Sequence, residues 1–183
     1  MDRTNDEAWQ FEYTFARQIQ PGTRGIDLGA GDGELPARLA ESYDMVAVDK
    51  RAPDYHHDRL IWRQMSVEDW AIEPDGEPFD FILSRNLVQF LDKPFVFETL
   101  LPAIKRRVKP DGVIAIKTFS ANPEPALGIA FPTFFRVEEI AAHFDGWTVV
   151  LSINEPRRSR ALDGPEIRLW QTVQFIARRP LNS

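Results

Sequence analysis

The sequence predicts an α/β fold: a mostly parallel sheet with helices on both faces and a ligand site where the strands end. Two observations carry that expectation. Residues 25–36 read Gly-Ile-Asp-Leu-Gly-Ala-Gly-Asp-Gly-Glu-Leu-Pro, a short apolar strand with a carboxylate near its end, then alternating glycines, then the start of a helix. Gly29 and Gly31 allow positive φ and remove side chains that would hold a ligand off the backbone. A glycine loop at such a junction faces the carboxyl end of a parallel sheet, where open α/β folds bind ligands. The second observation is that apolar runs of strand length alternate with helical patterns along the chain, as in folds with parallel sheets.

Composition bounds the reading. A chain of 183 residues with 43% hydrophobic and 27% charged residues is one globular domain with a sizeable core. The formal net charge of −6 argues against a bulk electrostatic grip on nucleic acid. The absence of cysteine excludes disulfides, thiolate ligands and a thiol nucleophile. Asp2, Asp6, Glu7 and Glu12 near the start, and no apolar run of membrane-spanning length, lead to the expectation of a soluble cytoplasmic protein with no membrane partner. Residues 1–20 are expected to form a helical cap segment on a domain covering 21–183.

Taken in order, residues 6–19 place Trp9, Tyr13, Ala16 and Ile19, with Phe15 beside them, at near-helical spacing, which predicts a helix. That aromatic face either packs on the core or lays Trp9 or Tyr13 over the ligand site. Residues 35–40 are the first turns of the helix after the glycine loop, with Pro36 near its start, where a missing N–H is harmless. Residues 45–49 form a second buried strand ending in Asp49, one strand–helix–strand unit after Asp27. An acid at that place accepts hydrogen bonds from ribose hydroxyls, and Lys50 and Arg51 lie beside it. His56 and His57 are adjacent in a polar loop without a spaced third ligand, so no metal site is expected. Residues 60–65 are a third strand. Breakers at 73–78 precede a fourth, 79–84, continuous with the apolar run through Leu91, and Ser84 falls at its carboxyl end. Residues 95–108 form an amphipathic helix whose terminal Lys105-Arg106-Arg107 suits a helix C-terminus away from the site. A fifth strand at 112–119, a Pro-rich crossover at 120–132, a helix at 136–144 and strands at 147–153 and 167–178 complete the chain. The loop 154–166 is expected on the ligand side.

The acids around the glycine loop decide the ligand. A dinucleotide fingerprint is G-x-G-x-x-G, but here the third glycine comes one position early, at Gly33, and Glu34 stands in its place. Asp27, Asp32 and Glu34 beside a helix start would repel a pyrophosphate, which needs bare N–H groups and a positive dipole end. They suit a neutral or cationic ligand. S-adenosylmethionine, with a sulfonium and an amino group and no phosphate, is such a ligand.

The run Asp27-Leu-Gly-Ala-Gly-Asp-Gly33 resembles motif I of the class I S-adenosylmethionine-dependent methyltransferases. The resemblance implies a Rossmann-like seven-stranded sheet, mostly parallel, with strand 7 antiparallel. Asp49 then matches motif II. Ser66-Val67 occupies motif III, where family members place an acid and a small apolar residue against adenine; Glu68 or Asp69 stands in for the acid. The implied cofactor residues are Asp27, Gly29, Ala30, Gly31, Asp49, Lys50, Ser66, Val67, Glu68 and Ser84, the last beside the methionine part. S-adenosylhomocysteine is the implied product.

The resemblance extends further. Phe-Asp-Phe-Ile-Leu-Ser at 79–84, Lys-Pro-Asp-Gly at 109–112, residues 134–150 and Gln-Phe-Ile-Ala-Arg-Arg at 174–179 are similar to the tellurite-resistance methyltransferases, which act on small nucleophiles without metal. Those proteins carry a His and Arg pair between strands 6 and 7. This chain has Arg157, Arg158 and Arg160 there and no His; with Arg85 they are its candidate substrate contacts, the alternative being a solvated loop, since charge runs are usually surface. Methyl transfer from a sulfonium is an in-line displacement in which the protein chiefly aligns the reactants, so no catalytic base is legible. The expected activity is methyl transfer to a small-molecule nucleophile. A ribosomal RNA ribose methyltransferase is the alternative raised by Ala-Ile-Lys-Thr-Phe at 115–119. That family needs a Lys before motif I and an Asp ending strand 4; here the first Lys is Lys50 and strand 4 ends Ser84-Arg85, leaving Lys117 as a rim or sheet-edge residue. A non-catalytic cofactor-binding module is the other alternative.

Overall fold

The computed structural model describes residues 10–120, 133–160 and 167–182. In chain order they form α1 (Gln10–Ala16), β1 (Arg24–Leu28), α2 (Glu34–Leu39), β2 (Asp44–Asp49), β3 (Leu60–Gln64), α3 (Val67–Ile72), β4 (Phe79–Arg85), a 3₁₀ turn (Val88–Phe90), and α4 (Lys93–Phe95). α4 runs through a π-helical turn (Val96–Leu100) into α5 (Leu101–Arg107), followed by β5 (Val108–Phe119), α6 (Val137–Ala142), β6 (Thr148–Arg160) and β7 (Ile167–Arg178). The strands make one seven-stranded sheet in the order β3-β2-β1-β4-β5-β7-β6. β1 to β5 pair in parallel, and β7 runs antiparallel to both β5 and β6, as the sequence predicts.

Side chains alternate across the pleat, so each strand feeds two cores. Ile26, Leu28, Ile82, Ile114, Ile116 and Phe175 pack on one face with Trp70 of α3, Ile104 of α5 and Ile140 of α6. Phe81, Leu83, Val113, Ala115 and Ile176 pack on the other with Phe11 and Phe15 of α1 and Leu35 and Leu39 of α2. Helices on both faces explain why these strands read as continuous apolar runs. Gly25 makes room for Phe81: a Cβ at that position would collide with the Phe81 ring.

Several boundaries differ from the sequence expectation. The N-terminal helix is described only from Gln10, and its buried face is Phe11 and Phe15, an i,i+4 pair seated in the second core. Tyr13 is 63% exposed and does not lie on that face. Trp9 and the Pro-rich stretch 121–132 lie outside the described residues. β4 does not continue to Leu91: Asn86 takes a positive φ of 52° and turns the chain into the 3₁₀ turn. The amphipathic helix begins earlier, at Lys93. Residues 154–160 are strand where a loop is expected, because β6 pairs with β7 out to Arg160↔Ile167; 161–166 lie outside the described residues. Arg107 is structural, as expected: it is buried and donates to the carbonyls of Trp70 and Glu73 and to Asp75 Oδ1 at 2.9 Å.

Candidate functional site

The glycine loop leaves β1 at Leu28 with φ of 76°, 69° and 95° at Gly29, Gly31 and Gly33, and Gly33 caps α2. These left-handed conformations are open to glycine and strained for other residues. They point the loop's N–H groups back into the protein. Gly29 and Ala30 donate to Val48 O at 2.9 and 3.1 Å, Gly33 donates to Ala30 O at 3.2 Å, and Glu34 donates to Asp32 Oδ1 at 3.1 Å. Gly31 donates to Asp49 Oδ2 at 2.9 Å. A phosphate cradle needs those donors bare; here the protein has already used them. The donor set therefore fits a ligand with hydrogen-bond donors and positive charge.

Two cavities open on either side of this loop. The first, about 300 Å³, is lined by Gly29, Asp49, Lys50, Arg51, Val67, Glu68, Leu87, Phe90 and Leu91. Its wall combines an apolar floor with the Asp49 carboxylate, whose Oδ1 accepts the Arg51 N–H at 2.9 Å. Lys50 faces Glu68 at 3.5 Å. Ser66, expected at the acid's place in motif III, uses its hydroxyl to cap α3, accepting the Asp69 N–H at 2.9 Å and donating to Asp69 Oδ2 at 2.6 Å. Val67, Glu68, Asp49, Lys50 and Gly29 thus share one cavity, whereas the Ser66 side chain is committed to the helix.

The second cavity, about 500 Å³, is lined by Glu12, Ala30, Asp32, Glu34, Leu35, Arg38, Leu39, Glu41 and Arg85. Asp27 is buried in the sheet nearby. Burial pushes its carboxyl up to about 7; the Arg85 guanidinium pulls it back and the Asp49 carboxylate pushes it further up. Ser84 is buried at the end of β4, and its hydroxyl has no hydrogen-bond partner. A buried orphan hydroxyl where the strands end is a place for a ligand group.

Sequence reasoning missed Glu12, and it placed Lys117 at a rim or edge. Lys117 is instead buried, on the interior strand β5 beside Arg85 of β4. Its Nζ donates to Glu12 Oε1 at 2.9 Å, and Arg85 Nη1 reaches the same oxygen at 3.4 Å. Burial alone would raise the Glu12 pKa, but the charge and hydrogen bond of Lys117, with Arg85, hold it below the usual carboxylate range. No spacing rule links a residue of the first helix to the fifth strand; only the packing of Phe11 and Phe15 brings Glu12 there.

Arg157, Arg158 and Arg160 lie on β6, opposite Trp170, Leu169 and Ile167, and not on a loop over the site. His57 Nδ1 accepts the Arg59 N–H at 3.1 Å. Among the described residues no cluster of three potential metal ligands converges, and no helix is long and apolar enough to cross a membrane.

Comparison with known proteins agrees with this geometry. A family model described as "Methyltransferase domain" matches residues 1–172. The trans-aconitate 2-methyltransferase of Azoarcus sp. (strain BH72) is 31% identical over 109 residues, covering 55% of this chain and 41% of that protein. Among solved structures, TehB from Haemophilus influenzae superposes with a TM-score of 0.74 at 16% identity, over 92% of this chain and 61% of that one. The 1,6-didemethyltoxoflavin-N1-methyltransferase of Burkholderia thailandensis, solved with 1,6-didemethyltoxoflavin and S-adenosylhomocysteine bound, gives 0.65 at 21% identity, over 92% and 76%. The chain spans about half the length of the curated relatives it matches, 41% and 50%. With its matched family model, seven-stranded sheet and internally bonded glycine loop, the chain belongs to the methyltransferase domain family and has the fold of the solved methyltransferases.

Proposed function

We propose that this domain transfers a methyl group from S-adenosylmethionine to a small-molecule nucleophile. The observation that carries the reading is the hydrogen bond from the Gly31 N–H to Asp49 Oδ2. It draws the glycine loop onto an acid at the next strand end and removes a donor that a phosphate would need. When bound, S-adenosylmethionine supplies an electrophilic methyl group on a good leaving group. Asp49, with Lys50 and Glu68, would hold the ribose and adenosine edge, and Val67 would lie against the adenine. Gly29, Ala30 and Gly31 let the ligand approach the backbone. Asp27 and Ser84 would serve the methionine end of the ligand, and the backbone at Ser66 would lie beside the ring.

The acceptor is proposed to be a small molecule. The curated relatives are named for trans-aconitate and for ubiquinone biosynthesis, and a structural neighbour for 1,6-didemethyltoxoflavin. These acceptors share small size and little else. Arg85, which lines the second cavity, is the substrate contact this reading favours. The chemistry asks for alignment and exclusion of water more than for a base. Calorimetry of the purified chain with S-adenosylhomocysteine and with NAD tests the cofactor. Release of S-adenosylhomocysteine over a panel of small nucleophiles separates an enzyme from a binding module. Tight NAD binding with no response to S-adenosylhomocysteine would defeat the proposal.

A further inference from the structure

A polar row runs across one face of four neighbouring strands: Asp27, Arg85 and Lys117 towards the carboxyl ends of β1, β4 and β5, and Gln174 of the antiparallel β7. The register sets Arg85 beside Lys117 and Lys117 beside Gln174. This row faces α1, which lays Glu12 over it. The fit of Glu12 is poor. One of its oxygens serves both cations, at 2.9 Å and 3.4 Å, while the other is buried with no hydrogen-bond partner. Arg85 Nε and Gln174 Oε1 are also buried without partners. A guanidinium is a planar fork that prefers two parallel bonds to a carboxylate, and here only one long bond is made. The Arg85 side chain is part-exposed and lines the second cavity.

We propose that Arg85 and Lys117 form a carboxylate-binding seat for the methyl acceptor, in which Glu12 is a resident stand-in that an incoming carboxylate displaces. The seat's role as an acceptor site rests on the methyl-transfer reading above. An acceptor carboxylate would take the Arg85 fork in a bidentate grip and share the Lys117 ammonium. Asp32, Glu34 and Glu41, which line the cavity together with Arg38, favour a singly charged acid over a polyanion. The cofactor's own methionine carboxylate has the same chemistry, so the test separates the two sources.

The probes are benzoate and its neutral isostere benzamide, titrated into the full chain with and without saturating S-adenosylhomocysteine. Glu12→Gln removes the stand-in and keeps its shape. The expected result is that Glu12→Gln binds benzoate at least tenfold more tightly than the parent and discriminates against benzamide. Adding Arg85→Gln should then lose that gain, with S-adenosylhomocysteine affinity unchanged in both variants. Equal binding of benzoate and benzamide, no benzoate binding to folded Glu12→Gln, or a gain that survives Arg85→Gln would overturn the seat. If Arg85→Gln weakens S-adenosylhomocysteine tenfold and leaves benzoate alone, the pair serves the cofactor and the acceptor assignment falls. Benzoate binding that follows the expected pattern in a chain that ignores S-adenosylhomocysteine would support the seat and overturn the methyl-transfer reading instead.

Discussion

The Gly31 N–H donates to Asp49 Oδ2 across 2.9 Å, tying the loop after β1 to the end of β2. The bond needs the positive φ of 69° at Gly31 and a carboxylate at the strand end. Gly31→Val strains that backbone, and Asp49→Ala removes both the loop's acceptor and the candidate ribose contact. Each variant is expected to remain folded and to lose S-adenosylhomocysteine affinity by about a hundredfold, on the order of 3 kcal/mol for charge-assisted hydrogen bonds. Calorimetry alongside circular dichroism checks this. Unchanged affinity in Asp49→Ala would remove the acid from the site.

Asp27 makes stability depend on pH. Its carboxyl ionises at 3.8 in an ordinary setting and at about 7 in the folded chain, chiefly because it is buried. Between those values the folded state holds the proton and the unfolded state does not, so this group's contribution is full below the lower value. It is lost as pH rises through about 7. Asp27→Asn is expected to flatten that decline and to raise stability at pH 8 by roughly 3 kcal/mol relative to the parent. Urea midpoints of both proteins at pH 5 and pH 8 measure it. A parallel pH response in the two would show that Asp27 is not the source.

Gly25 is required by Phe81. The Phe81 ring is held edge-on by Phe15 at 5.5 Å and Tyr43 at 5.3 Å, so it cannot move aside for a new methyl group. Gly25→Ala is expected to cost about 3 kcal/mol or more through overpacking, and a second change, Phe81→Leu, should restore part of it. Thermal unfolding of the single and double variants decides the matter.

Arg107 holds the end of α5 to the end of α3. Its guanidinium lies over the Trp70 ring at 4.3 Å while donating to two carbonyls and to Asp75. Arg107→Ala leaves buried acceptors unpaired and should cost about 3 kcal/mol. Arg107→Lys should recover little, because an ammonium cannot reproduce the fork. Denaturant unfolding gives the loss, and unchanged S-adenosylhomocysteine affinity would show that this cluster, at the amino ends of β4 and β5, is structural.

The glycine loop and the two acidic strand ends are local in sequence. Continuous apolar runs, glycines at a strand-to-helix junction and Asp49 one βαβ unit after Asp27 were therefore legible, and with them a mostly parallel sheet. Positions fixed by what packs against them were not. Phe11 and Phe15, not Tyr13, face the core because β4 and β6 lie there, and a helical period alone does not say which stripe is buried. β6 runs on to Arg160 because β7 offers it partners, although its charge pattern reads as loop.

By itself, the sequence determined the glycine loop and the acids at the strand ends, since glycine conformation and strand-end acids are properties of consecutive residues. Only the tertiary structure decided the far half of the site. Burial gave Asp27 a pKa near neutrality, and the docking of α1 carried Glu12 to Lys117, 105 residues away. Solvent exclusion and long-range contacts exist only once the chain has closed on itself.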